Sequence, residues 1–285
     1  MCSKCISVLT QQDCVIRTNT KRGIRIHLPS VYGSEERSSL TLERKKDMTI
    51  ALILSGGTGT RLGYDIPKQY IKAGGRPIIS YSISRLFSHS GIEGIHIVAA
   101  PAWQGQIQDW LAEDGFCGKF KGFSSPGGNR QLSILNGLKD IREYAKDSDY
   151  VFIHDAARPL LTEKQITDCI AGVSGHDGVL PVLPMKDTVY SSTDGRKITA
   201  LLNRSEIYAG QAPEVFRLGS YYEANCRLLP EKIWQINGST EPAILAGLDV
   251  VMIPGDEGNF KITTKEDLER FRKILEAEES FGMGR

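Results

Sequence analysis

A short apolar run, Ile50–Leu54, opens directly into Ser55-Gly56-Gly57-Thr58-Gly59-Thr60-Arg61-Leu62-Gly63, and Pro67-Lys68-Gln69 follows closely. An unbroken apolar strand is buried on both faces, which happens when helices cover a parallel sheet. Glycines in the turn after such a strand let backbone N–H groups approach phosphate oxygens, and Arg61 and Lys68 add positive charge. The spacing excludes two commoner loops. Leu62 stands where a dinucleotide fingerprint needs its third glycine, and Lys68 is not part of a Gly-Lys-Ser/Thr triplet. The chain therefore places a phosphate-binding loop at the carboxyl end of a buried strand.

Strand and helix patterns alternate from there to the end. Ile95–Ala99, Tyr150–Ile153, Val179–Val182 and Val250–Ile253 read as strands. Pro77–Phe87, Asn129–Tyr144, Glu163–Val173 and Lys265–Glu278 read as helices, the second with Leu132, Leu135, Leu138 and Ile141 on one face. This predicts an α/β fold: a Rossmann-like, mostly parallel twisted sheet with helices on both faces. Ligands bind such sheets beyond the carboxyl ends of the strands, which directs attention to the loops after Leu54, Ile153 and Val182. Lys186–Tyr208 breaks the pattern: Val189-Tyr190 and Ile198–Leu202 flank the turn signal Thr193-Asp194-Gly195, so a β-hairpin arm projects there.

Composition limits the partners. The net charge of +1 supplies no global field for nucleic acid or an anionic membrane, so an anionic substrate must be held by locally placed cations. No apolar run approaches the roughly 20 residues needed to span a bilayer, and the N-terminus lacks the apolar stretch of a secretory signal. The scattered cysteines do not form a disulfide framework, and a cytoplasmic setting is expected. Residues 1–47 show no sustained periodicity. They are expected to be a disordered leader or a mis-assigned extension, with translation starting at Met48, and only a transit-peptide reading would point to a plastid. Cys2, Cys5, Cys14 and His27 within them lack the spacing of a closed metal site.

The glycine-rich loop with Pro67-Lys68-Gln69 resembles the methylerythritol phosphate cytidylyltransferase family, which includes ribitol phosphate cytidylyltransferases. His154-Asp155-Ala156-Ala157-Arg158-Pro159, Lys186-Asp187-Thr188 and Asn259-Phe260-Lys261-Ile262-Thr263 follow in the family's order. The similarity runs from Met48 to the C-terminus. It implies a nucleotidyltransferase domain over residues 48–285 that moves CMP from CTP to the phosphate of a small polyol phosphate and releases pyrophosphate. It also implies Mg²⁺ as cofactor and a homodimer whose arm, about residues 186–208, reaches the neighbouring subunit. Arg61, Lys68 and Lys261 would be catalytic. Ser55, Gly56, Gly57, Gly59, Gly127, Gly128 and Ser133 would bind the nucleotide, the last three at the cytosine. Asp155, Arg158, Thr188 and Arg204 would bind the acceptor, with Asp155 also a metal ligand.

Departures leave the acceptor open between 2-C-methyl-D-erythritol 4-phosphate and D-ribitol 5-phosphate. Gly56-Gly57 replaces the alanines usual in the methylerythritol branch, and Tyr208-Ala209-Gly210-Gln211-Ala212-Pro213 looks closer to the ribitol branch, whereas His154-Asp155-Ala156-Ala157-Arg158-Pro159 looks closer to the methylerythritol branch. Two other functions compete: a sugar-1-phosphate nucleotidyltransferase, and a non-catalytic nucleotide-binding homologue. Joint presence of Arg61, Lys68, Asp155, Arg158 and Lys261 argues against the latter. The expected chemistry needs no Ser–His–Asp or Cys–His set, because a phosphate monoester is already a nucleophile at neutral pH.

Overall fold

A computed structural model of the chain describes residues 17–20, 23–26, 47–57 and 63–282. The chain divides into two compact units, Met1–Lys46 and Asp47–Arg285. Within the first, β1 (Arg17–Thr20) and β2 (Gly23–Ile26) form an antiparallel hairpin that composition alone did not announce. The cysteines and histidine of that unit lie outside the described residues.

The second unit is built on one sheet. Its strands and helices, in chain order, are β3 (Thr49–Leu54), the short pair β4 (Lys72–Ala73) and β5 (Arg76–Pro77), α1 (Ile78–Ser88), β6 (Gly94–Val98), α2 (Pro101–Glu113), β7 (Phe120–Ser124) and α3 (Arg130–Ile141). There follow β8 (Tyr150–Asp155), α4 (Glu163–Gly172), β9 (Gly178–Pro184), β10 (Val189–Ser191), β11 (Ala200–Leu202), β12 (Tyr208–Gly210), β13 (Glu214–Arg217), α5 (Leu218–Cys226), α6 (Glu241–Leu245), β14 (Val250–Pro254) and α7 (Lys265–Gly282). The strand order is β12-β9-β13-β8-β3-β6-β7, with β14 on β9. β8, β3, β6 and β7 are mutually parallel, and β14 runs parallel to β9. β13 enters antiparallel between β8 and β9, and β12 also pairs antiparallel with β9.

Alternation along β3 sends side chains to two cores. Ala51 and Ile53 join Ile79, Ile83, Ile107 and Ile166 on one face, while Ile50 and Leu52 meet Ile134, Leu138 and Tyr221 on the other. All of these are essentially fully buried. At about 1.5–3 kcal/mol for each large apolar side chain taken out of water, these two faces dominate the stability of the unit. A third cluster joins Ile71, Ile78 and Ile262 to Phe271 on α7, so the last helix anchors the segment that precedes it.

The expected α/β sheet with helices on both faces is present. Among the elements that escaped the sequence pattern, α2 and β7 show the physical reason most plainly. Of α2 only Ile107 and Leu111 are buried, because its glutamines break the apolar stripe. β7 carries a register irregularity against β6, and Gly122 within it has φ +148°, so its alternation is interrupted.

Candidate active site

β3 and β8 are adjacent, parallel and in register, with Leu54 opposite Asp155. The glycine-rich loop and the acidic loop therefore leave the sheet side by side. Gln69 fixes the first of them: its Nε2 donates to the carbonyls of Ser55 at 2.7 Å and Gly57 at 2.8 Å. Tyr70 OH lies 2.9 Å from Ser55 Oγ, and Trp103 stacks on the Tyr70 ring at 4.4 Å. Pro67-Lys68-Gln69 is thus bolted back onto the loop it follows, which sets Lys68 beside it. Gly59 and Arg61 lie outside the described residues.

A second loop, Ser125–Asn129, leaves β7 and packs on the first. A Cβ on Gly56 would stand 2.5 Å from Pro126 Cβ, so this close approach requires glycine. A Cβ on Gly127 would likewise meet Leu132 Cβ at 2.4 Å. Ser133 Oγ accepts from the Gly127 N–H at 3.0 Å and donates to the Asn129 carbonyl at 2.8 Å, while Asn129 caps α3 through Leu132 N. The structure therefore brings Gly127 and Gly128 of this loop together with Ser133 in the first turn of α3, next to Gly56.

Asp155 is the electrostatic centre. Its carboxylate is buried and faces three cations: Arg130 Nη2 at 3.2 Å, Lys261 Nζ at 3.0 Å and Arg158 Nε at 3.5 Å. Burial alone would raise its pKa, but Arg130, then Lys261 and Arg158, outweigh that and hold the carboxyl well below the usual carboxylate range. Lys261 is more than a hundred residues away in sequence and arrives through backbone bonds. Arg158 Nη1 donates to the Asn259 carbonyl at 2.7 Å, and Ile262 N donates to the Ala157 carbonyl at 2.8 Å. Three cations against Asp155 and the neighbouring buried Glu214 leave a local surplus of positive charge at the ends of β3 and β8, which suits a polyanion.

That same surplus bears on Mg²⁺. Asp155 is already engaged by three cations, and among the described residues no other cluster of carboxylate, histidine or cysteine side chains is arranged to hold a metal ion. A metal-ligand role for Asp155 does not fit this arrangement, because a divalent cation there would meet like charge on three sides.

His154, beside Asp155, is fully buried and donates from Nε2 to the Arg158 carbonyl at 3.0 Å. Burial pushes its pKa down to about 4, so it stays neutral and shapes the turn. Arg130 is the residue the sequence reading missed. A cation in the first turn of a helix opposes the helix dipole, and that misfit was the available signal. Glu214 on β13 is also buried in this neighbourhood, and burial raises its pKa despite Arg130. Thr188 and Arg204 lie instead on the exposed arm, where Arg204 Nη1 donates to the Lys186 carbonyl at 2.8 Å. Neither shares a bond with the Asp155 cluster within the chain.

Comparison with known proteins agrees with this architecture. Ribitol-5-phosphate cytidylyltransferase of Streptococcus pneumoniae serotype 2 is 32% identical over 235 residues, spanning 80% of this chain and 99% of that protein. The crystal structure of a 4-diphosphocytidyl-2C-methyl-D-erythritol synthase superposes with a TM-score of 0.67 at 22% identity, covering 81% of this chain and 99% of its own. The corresponding synthase from Anaerococcus prevotii gives 0.69 at 24% identity, with 81% and 96% covered. The family model for 2-C-methyl-D-erythritol 4-phosphate cytidylyltransferase matches residues 49–277. The chain belongs to the 2-C-methyl-D-erythritol 4-phosphate cytidylyltransferase family.

Proposed function

We propose that this chain transfers CMP from CTP to the phosphate of D-ribitol 5-phosphate, releasing pyrophosphate. The observation that carries the transfer reading is the surplus of cations around buried Asp155, set beside the glycine-rich loop. The ribitol-5-phosphate cytidylyltransferases among its relatives favour that acceptor. The family model keeps 2-C-methyl-D-erythritol 4-phosphate as the competing one.

In this reading the triphosphate lies along the loop that begins at Ser55, Gly56 and Gly57, with Gly59 and Arg61 continuing it. Lys68 and Lys261 approach it from two sides. The cytosine sits at Gly127, Gly128 and Ser133. An oxygen of the acceptor phosphate attacks the α-phosphorus of CTP, the bond to the bridging oxygen breaks, and pyrophosphate leaves. The acceptor phosphate is mostly dianionic at neutral pH, so no general base is needed. The protein must align two anions that repel each other and neutralise charge building on the α-phosphorus. Asp155 acts as a positioning residue: it gathers Arg130, Arg158 and Lys261 so that their charge is in place before substrate arrives. No step runs through a protein-held metal.

The acceptor end belongs to the arm. Tyr190, Ile198 and Leu201 on it are 53%, 67% and 66% exposed. A two-stranded ribbon is marginal alone and calls for a covering surface. A two-fold homodimer supplies one, with Thr188 and Arg204 of each arm completing the pocket of its partner. No described helix is long and apolar enough to cross a membrane.

The deciding assay measures pyrophosphate release from CTP with ribitol 5-phosphate, methylerythritol 4-phosphate and glucose 1-phosphate. Turnover with ribitol 5-phosphate at the highest kcat/KM is expected. Preference for glucose 1-phosphate would establish a sugar-1-phosphate nucleotidyltransferase, and no turnover with any acceptor would point to a non-catalytic nucleotide binder.

A further inference from the structure

Trp234 stands on the rim of the loop assigned to the cytosine. It is 57% exposed, in a short turn of 3-10 helix, Lys232–Gln235. A single exposed aromatic needs no explanation in itself. This one is held in place by its neighbours. Ile233 is fully buried against Leu135 and Leu228, so the turn cannot drift from the body of the unit. Asn129 ties it to the base loop, donating from Nδ2 to the Ile233 carbonyl at 3.0 Å while its Oδ1 caps α3. A Cβ on Gly128 would stand 2.5 Å from Trp234 Cη2 and 2.9 Å from Cζ3. The indole edge therefore rests directly on Gly128, and only glycine leaves it that room. The rest of the ring faces outward.

We propose that Trp234 forms one wall of the base pocket and stacks on the pyrimidine ring of CTP. The inference rests on the cytidylyltransferase reading, which places the base at Gly127, Gly128 and Ser133. An indole has few rotatable bonds, so holding it over a ligand costs little conformational entropy. Its flat face suits the flat face of a base, while recognition of the base edge stays with the loop. Trp234 would thus contribute nucleotide affinity, and the cations around Asp155 would contribute rate.

The test combines fluorescence with steady-state kinetics on the full chain. The chain holds three tryptophans, so Trp103→Phe and Trp110→Phe, which remove the two that lie against Tyr70, leave Trp234 as the emitter in the titrated background. Titration with CTP should quench that emission. Trp234→Ala should raise the KM for CTP roughly tenfold, the scale of one lost base–aromatic stack. Its kcat and its acceptor KM should stay within about twofold of wild type, and Trp234→Phe should recover most of the affinity. No quench in that background while it still turns over CTP, or a CTP KM unchanged in Trp234→Ala, would overturn the inference while leaving the enzyme reading intact. Wild-type chain that neither binds nor turns over CTP would overturn both.

Discussion

The carboxyl ends of β3 and β8 and the arm that carries β10 and β11 are built in opposite ways. At the sheet ends, charge is buried and each functional group is held by several others. Asp155 meets three cations, and Gln69 bridges two carbonyls of the glycine-rich loop. The arm has little within its own chain to hold it. Its strands pair over only three residues each, and Ile198 and Leu201 are about two-thirds exposed. Preorganised charge demands a rigid, desolvated setting, whereas a ribbon of this kind gains its rigidity from whatever covers it. In the proposed function the sheet ends carry the phosphorus chemistry, and the arm is a recognition element that a second subunit would complete.

The largest expected effect breaks the first half of that contrast. Lys68→Ala should lower kcat by about 10²–10³ with little change in the KM for CTP, because charge that matters most at the five-coordinate phosphorus stabilises the transition state. Initial rates across CTP concentrations decide it. A raised KM with unchanged kcat would make Lys68 a binding residue only. On the arm, Arg204→Ala should act differently, raising the acceptor KM by about tenfold or more, the scale of one charged hydrogen bond. The KM for CTP and the melting temperature should stay constant. A drop in melting temperature would show that Arg204 braces the fold through the Lys186 carbonyl.

Acid should separate the two regions next. His154 and His96 are buried, and burial lowers each pKa to about 4. Below about pH 6.5 the unfolded chain takes up protons that the folded chain refuses, so stability is lost as pH falls from there toward the folded values. By pH 5 fully buried His154 alone should cost about 2 kcal/mol, or about 4–8 °C in melting temperature. Asp155 adds to this only below about pH 4, where the unfolded carboxyl protonates and the folded one, held down by its cations, still does not. A melting temperature flat from pH 7 to pH 5 would contradict the buried neutral histidines. The smallest effect concerns the ends of the chain. A chain beginning at Met48 should keep full turnover and the same melting temperature, since Met48 N already bonds to Asp149 within the second unit. Loss of either would show that residues 1–47 pack on the enzyme.

Legibility in the sequence follows the same division. The loop from Ser55 to Gly63 and the strand before it were readable because burial on both faces and the need for close phosphate approach leave few residue choices. Asp155 and Lys261 stood out by local motif, but their pairing did not, because it depends on how Arg158 and Ile262 bond across a hundred residues. Arg130 and Trp234 were missed for a related reason. One gains meaning from a carboxylate on another strand, the other from a glycine on another loop. The antiparallel entry of β13 was hidden as well, since a four-residue strand carries too little alternation to declare its direction.

The shared pocket is the central claim, and subunit exchange tests it most directly. Lys68→Ala chains, nearly inactive, and Arg204→Ala chains, left with about a tenth of the wild-type rate or less at limiting acceptor, are mixed in equal amounts and allowed to exchange. If the arm acts on its partner, each mixed dimer gathers both lesions in one pocket and leaves the other intact. Half of the dimers are mixed and each has one good site, so activity should return to about a quarter of wild type. If Arg204 serves its own subunit, every pocket of the mixed dimer carries one lesion. No recovery despite demonstrated exchange, or a fully active monomer, would contradict the account.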